Sequence, residues 1–128
     1  TRGETMNLSG KVALVTGAGR GIGKGCAIEL ARCGADLVIN DRPGSPDLAA
    51  TAAEIRSLGR SCFPIEADVF SRTGCEGLLA EALNRVPGID ILVSNPAYSR
   101  RAPFLEYSPE EFEKTIRGTL TSGFHMSQ

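Results

Sequence analysis

The chain has 128 residues, 41% hydrophobic and 23% charged, with fourteen Lys and Arg against fifteen Asp and Glu. That is the length of one domain and the composition of a folded globular chain, which excludes wholesale disorder. A net charge of −1 leaves no basic footprint for nucleic acid, and no apolar run approaches the ~18–20 residues of a membrane span.

Residues 1–8 read as an extension ahead of a domain over 9–128, and Thr1 to Asn7 lack the apolar core of a signal peptide. Val12, Ala13, Leu14 and Val15 form a continuous apolar run ending at Gly17, the pattern of a strand buried on both faces. Ile22, Cys26, Leu30 and Cys33 then recur at helical spacing and predict a first helix with those residues inward, closed by Gly34. Leu37, Val38 and Ile39 make a second strand, and Pro43-Gly44-Ser45-Pro46 is loop chemistry. Leu48, Ala52, Ile55 and Leu58 carry a second helix, closed by Gly59. A third strand spans Cys62 to Ala67, and Pro64 places it at a sheet edge because proline cannot donate to the ladder. Cys75, Leu78, Leu79, Ala82, Leu83 and Val86 form the clearest helical stripe, followed by a fourth strand at Ile89 and Ile91 to Val93.

Ser108-Pro109-Glu110-Glu111 is a capping box with proline at the first helical position. The helix it opens carries Phe112, Ile116, Leu120 and Phe124, a stripe expected to pack on the sheet. Gly118 and Gly123 should weaken that helix by roughly 1 kcal/mol each relative to alanine. Strands alternating with helices define an α/β chain with a doubly wound parallel sheet.

Between the first strand and the first helix lies Thr16-Gly17-Ala18-Gly19-Arg20-Gly21-Ile22-Gly23, with the spacing T-G-x-x-x-G-x-G. Glycines let the backbone approach a pyrophosphate, and the helix start presents free N–H groups to it. A βα turn without a ligand is the other reading. Gly17→Val is expected to block the pyrophosphate with modest loss of fold. Asp41 ends the second strand, where a carboxylate can accept the hydroxyls of an adenosine ribose and repel a 2′-phosphate. That favours NAD. Arg20 and Arg42 could instead meet a 2′-phosphate, so NADP is the alternative. The four cysteines, Cys26, Cys33, Cys62 and Cys75, form no C-x-x-C pair, and the single histidine is His125. A zinc site is not indicated, and reduced, mostly buried thiols of a cytosolic protein are expected.

The turn Gly17 to Gly23 resembles the cofactor loop of the short-chain dehydrogenase/reductase family, in particular its 3-oxoacyl-carrier-protein-reductase-like members. Ala67-Asp68-Val69 resembles the family's segment after strand three, where the Asp carboxylate bonds the adenine amino group and the next N–H bonds the ring. Ile89 to Ala97 resembles the family's fourth strand, which ends in Asn-Asn-Ala-Gly where this chain has Ser94-Asn95-Pro96-Ala97. The resemblance covers residues 9–128. It implies a Rossmann-type sheet in the order 3-2-1-4 and an oxidoreductase moving a hydride between a nicotinamide and a carbonyl or alcohol substrate. It also implies a cytoplasmic homo-oligomer, dimer or tetramer. The implied cofactor contacts are Gly17, Gly19, Arg20, Gly21, Ile22 and Gly23 in the turn, Asp41 and Arg42 after strand two, Asp68 and Val69 after strand three, and Asn95, Pro96 and Ala97 after strand four.

The departures from the family pattern are specific. Pro96 removes a backbone donor and pushes Asn95 out of the α region, and Ala97 would be strained at a positive φ. Ser94 is short for a sheet-supporting side chain. Thr119 stands where the family has an active-site Asn that holds a relay water. The family's Tyr-x-x-x-Lys pair has no counterpart: Tyr98 is followed four residues on by Ala102, and Tyr107 by Glu111. The chain therefore reads as the cofactor-binding half, cut before the catalytic Tyr/Lys segment, with no catalytic residue of its own. Strand four should have an open edge, and one face of the sheet should lack its helices. A non-catalytic dinucleotide-binding module is the competing reading.

Overall fold

The computed structural model describes residues 6–128, so the first five residues of the N-terminal extension lie outside the described residues. Four strands, β1 (Val12–Val15), β2 (Asp36–Asp41), β3 (Cys62–Glu66) and β4 (Ile91–Val93), form one parallel sheet in the order β3-β2-β1-β4. Pro64 pairs with Ile39 on the outer strand, the edge position that its missing donor requires. Asp90 fixes the register of β4: its N–H donates to the Val12 carbonyl at 2.9 Å, and its carboxylate accepts from the Val12 N–H at 2.9 Å.

The helices are α1 (Gly21–Arg32), α2 (Leu48–Ser57), α3 (Arg72–Arg85), α4 (Pro109–Ile116) and α5 (Ser122–Ser127), with a π-helical turn at Arg117–Thr121 joining the last two. Alternation along the strands sorts the core onto two faces. Ala13, Val15, Leu37 and Ile39 meet α1 and α2 through Ala27, Ala31, Ala52 and Ile55. Val12, Leu14, Val38 and Ile65 meet α3 through Cys75, Leu78 and Ala82, with Met126 of α5 at the margin. Both faces thus carry helices, against the expectation of a bare face. The outer edge of β4 pairs with no strand among the described residues, and all three of its residues are only half-buried.

The inner faces of several helical segments differ from the sequence pattern. In α1 the buried residues are Gly23, Ala27 and Ala31, while Ile22 is 79% exposed and Cys26 and Leu30 are half-buried. The small residues face the sheet because they let the helix approach closely; the larger apolar ones flank the contact. In the last helical segment Phe112, Ile116, Leu120 and Phe124 are all exposed, and the inward positions are Gly118 and Ser122. In α3 the inner stripe is Cys75, Leu78 and Ala82, with Leu79 and Leu83 outside.

Gly34 and Gly59 end α1 and α2 at φ +104° and +83°, with their N–H groups donating to Ala31 and Arg56 carbonyls. Ser108 caps α4 by accepting from the Glu111 N–H at 3.1 Å. The reciprocal arm of the expected capping box is diverted: the Glu111 carboxylate accepts the Tyr98 phenol at 2.8 Å and lies 3.8 Å from Arg100.

Candidate functional site

The carboxyl ends of all four strands converge on one crevice. Its first part, about 390 Å³, is lined by Gly17, Asp41, Arg42, Asp68, Val69, Pro96 and Ala97, together with Asn40, Ala67, Phe70 and Tyr98. An adjoining part, about 370 Å³, adds Arg20, Gly21, Asp47 and Asn95. Ten of the sequence-predicted residues are therefore brought together: five from the glycine turn and the end of β2, and five from the ends of β3 and β4. A broader groove of about 760 Å³ between the start of α3 and the α4–α5 segment shares only Asp68 and Phe70 with this site.

The remaining expected residues have other positions. The Ile22 side chain lies in solvent. Gly23 is buried beneath the turn, where a Cβ would strike the Gly17 carbonyl and come 2.7 Å from Asn95 Nδ2. Its absent side chain allows α1 to seat against the turn. Gly19 has the same property toward Asp41: a Cβ there would collide with the carboxylate oxygen Oδ2.

The turn is built from both sides. Gly17 and Gly21 adopt φ of +63° and +61°. Arg20 caps α1 without a side-chain hydrogen bond, and no acid occupies the helix's first turn. The first N–H groups of a helix have no partner within it, so here they remain available to an anion from outside. Beside Gly21, a Cβ would meet nothing within 4 Å, so the turn is open on that side.

Buried polar residues that sequence reasoning missed hold these pieces in place. Thr16, fully buried, donates its hydroxyl to the Val93 carbonyl at 3.3 Å and accepts the Asn95 N–H at 3.2 Å. Asn95 Nδ2 donates to the Gly17 carbonyl at 3.2 Å, tying the end of β4 to the turn. Asn40, also buried, donates to the Ile65 and Ala67 carbonyls at 3.0 and 3.3 Å, and its own carbonyl accepts the Ala18 N–H at 2.8 Å. Thr51 of α2 donates to the Gly19 carbonyl at 3.1 Å. The available signal was a polar residue directly after a buried apolar run, at Thr16 and Asn40.

The carboxylates are already oriented. Asp41 Oδ1 accepts the Arg42 N–H at 2.9 Å, and Oδ2 accepts the Ser45 hydroxyl at 2.6 Å. Asp68 Oδ1 accepts the Phe70 N–H at 3.0 Å, which leaves its other oxygen for a donor in the crevice. After β4, Ala97 does not take a positive φ, so the strain that its substitution for glycine suggested does not arise. Thr119 lies outside the crevice lining. Its hydroxyl donates to the Tyr98 carbonyl at 3.0 Å and lies 3.4 Å from the Tyr98 N–H, holding the segment after β4 against the helix.

All four cysteines are free; Cys62 and Cys75 are buried, and Cys26 and Cys33 are half-buried. Burial pushes the Cys62 thiol up to about 11, with nearby Arg56 opposing the shift. Cys75 is raised by burial first and by Asp68 next. Neither thiol has the lowered pKa of a reactive nucleophile. No helix among the described residues is long and apolar enough to cross a membrane.

A parallel sheet in the order 3-2-1-4, with a glycine turn after β1 and acidic residues ending β2 and following β3, defines a dinucleotide-binding α/β fold of the Rossmann type. The comparisons with known proteins narrow this. The model of the short chain dehydrogenase family matches residues 11–128, and the chain belongs to that family. A hydroxynaphthalene reductase-like protein of Metarhizium anisopliae is 38% identical over 122 residues, which are 95% of this chain and 46% of that relative. The crystal structure of a short-chain type dehydrogenase/reductase from Mycobacterium marinum superposes with a TM-score of 0.91 at 35% identity, over 97% of this chain and 50% of that one. A 7α-hydroxysteroid dehydrogenase, solved in complex with NADH and 7-oxo glycochenodeoxycholic acid, superposes with a TM-score of 0.91 at 33% identity, over 97% and 48%. The chain thus spans about half the length of the relatives it matches, and its family is one of oxidoreductases.

Proposed function

We propose that this chain is the cofactor-binding half of an NAD-dependent oxidoreductase that moves a hydride between a nicotinamide and a carbonyl or alcohol substrate. The observation that carries this reading is the single crevice joining the glycine turn, Asp41, and the Asp68–Val69 pair. The uncapped start of α1 and Gly17, Gly19 and Gly21 suit a pyrophosphate. Asp41 accepts the adenosine ribose hydroxyls, and Arg42 borders the same subsite. The free oxygen of Asp68 and the Val69 N–H receive the adenine edge. Asn95, Pro96 and Ala97 wall the path toward the nicotinamide, and Asn95 keeps that wall attached to the turn through Gly17. The nicotinamide, when bound, supplies the hydride; these residues orient it. NADP is the alternative cofactor, which Arg20 and Arg42 could serve.

The proton-transferring Tyr and Lys of the family are assigned to the part of the protein not represented in this chain. The half-length coverage of the relatives supports that assignment. A homo-oligomer and a cytoplasmic location complete the reading. A second reading, a dinucleotide-binding module without catalysis, is favoured by one observation: the Thr119 hydroxyl is engaged with the Tyr98 backbone rather than open to a relay water.

Calorimetric titration of the full-length protein with NADH, followed by an assay of NADH oxidation with aromatic and steroid ketones, tests both. Binding with turnover supports the enzyme. Binding without turnover, together with no Tyr-x-x-x-Lys in the remaining sequence, supports the module. Absence of binding overturns both.

A further inference from the structure

The loop between β2 and α2 reads as connection chemistry in the sequence, yet it returns a side chain to the site. Arg42, Pro43, Gly44 and Ser45 form a tight turn in which the Ser45 N–H donates to the Arg42 carbonyl at 3.2 Å. Gly44 adopts φ +78°, the left-handed conformation that the third residue of a type II turn requires, and Pro43 stands at the second position. The turn brings Ser45 Oγ back to Asp41 Oδ2 at 2.6 Å, with the Asp47 N–H 3.3 Å behind it. The Arg42 N–H holds Oδ1 at 2.9 Å. The paired groups sit directly over Gly19, where a Cβ would meet both the carboxylate and Ser45 Oγ.

We infer that Ser45 is a positioning residue that sets selectivity against a 2′-phosphorylated adenosine by fixing the Asp41 carboxylate over Gly19. The inference rests on the assignment of Asp41 to the adenosine ribose. A carboxylate held by donors on both oxygens still has lone pairs for two ribose hydroxyls, and needs no reorientation to receive them. The same fixation prevents it from turning away from a phosphate, so charge repulsion there is retained. With Ser45 truncated, the carboxylate gains a rotamer freedom that lets Arg20 and Arg42 meet a phosphate instead.

The test uses the full-length protein, with ADP-ribose and 2′-phospho-ADP-ribose as probes in calorimetric titrations. Ser45→Ala is expected to weaken ADP-ribose binding about ten-fold, the worth of one hydrogen bond to a charged acceptor at its lower end. The ratio of the two dissociation constants should move toward the phosphorylated probe by at least that factor, and Ser45→Thr, which keeps a hydroxyl, should restore it. Because Ser45 lies in a surface loop, the unfolding midpoint should be unchanged, so a shifted ratio reads selectivity rather than fold. Asp41→Ala is the control. If it shifts the ratio while Ser45→Ala does not, the role of Ser45 is overturned and the ribose assignment stands. If neither shifts it, the ribose assignment fails and the inference falls with it.

Discussion

Gly17 and Gly23 face each other beneath the turn, with Asn95 Nδ2 between them. From the residue pattern alone, Gly17→Val is expected to block a ligand with modest loss of fold. The structure reverses the emphasis. At φ +63° a β-branched residue is strained by roughly 1–2 kcal/mol, and its Cβ would also lie 2.8 Å from Asn95 Nδ2. Denaturant unfolding of Gly17→Val should therefore show a loss of at least about 2 kcal/mol, whereas Gly21→Ala, with open space around its Cβ, should lose only about 1. Equal losses would reject the distinction. Cys62 offers a second residue-scale test. Its thiol, raised by burial from 9.0 to about 11, keeps its proton in the folded chain where the unfolded chain has lost it. The stability it contributes is complete below pH 9 and drains as pH rises toward 11. Cys62→Ala should be less stable at neutral pH yet lose less between those limits, measured by urea midpoints; an unchanged slope would assign the alkaline loss to other groups. At this scale the residues bearing ligand chemistry were legible, because glycines at fixed spacing and an acid ending a strand each have a mechanism behind them. Thr16, Asn40 and Ser45 were not. Their partners are backbone carbonyls, or a carboxylate met only after a turn, and such pairings have no sequence period.

The α4–α5 segment shows how an element can be legible in kind and wrong in face. Its N-cap, its proline and its helical period were all present in the sequence, and α4 begins where they place it. Apolar periodicity predicts the stripe of large residues as the inner face. Instead Gly118, buried in the π-helical turn, comes against Tyr98 and Phe70: a Cβ would lie 2.7 Å from Tyr98 Cβ and 3.2 Å from the Phe70 ring. The same inversion occurs in α1, where Ala27 and Ala31 rather than Ile22 and Cys26 meet the sheet. Apolar periodicity reports which side chains are large; close approach of a helix selects those that are small. Gly118→Ala discriminates. Helix propensity alone predicts a gain of about 1 kcal/mol. The contacts predict a loss, with Tyr98 displaced from Thr119 and Glu111, and a lowered thermal midpoint with weaker dinucleotide binding is expected. A raised midpoint would show that the glycine is only a weak point in a helix.

At the scale of the whole molecule, the described residues cover both faces of the sheet but leave two apolar features outward: the half-buried β4 edge and the stripe of Phe112, Ile116, Leu120 and Phe124. Alternating strands and helices were sufficient to read the topology, and Pro64 to place β3 at the edge, because each constraint is local. What covers an outward face is not local, and no residue pattern distinguishes it. A contiguous apolar stripe on a helix is unfavourable in water unless another surface covers it. The proposed homo-oligomer supplies a second copy of the same stripe, which a twofold axis can pair with itself. The rest of the same polypeptide could also cover it, and the two arrangements respond differently to one charge. In the full-length protein, Leu120→Glu at an interface between copies should convert the oligomer to a folded monomer in sedimentation velocity, with the thermal midpoint of the monomer retained. Under an intramolecular cover the same substitution should lower the midpoint without changing the sedimentation coefficient, and wild-type protein that sediments as a monomer at micromolar concentration would remove the second copy from the account.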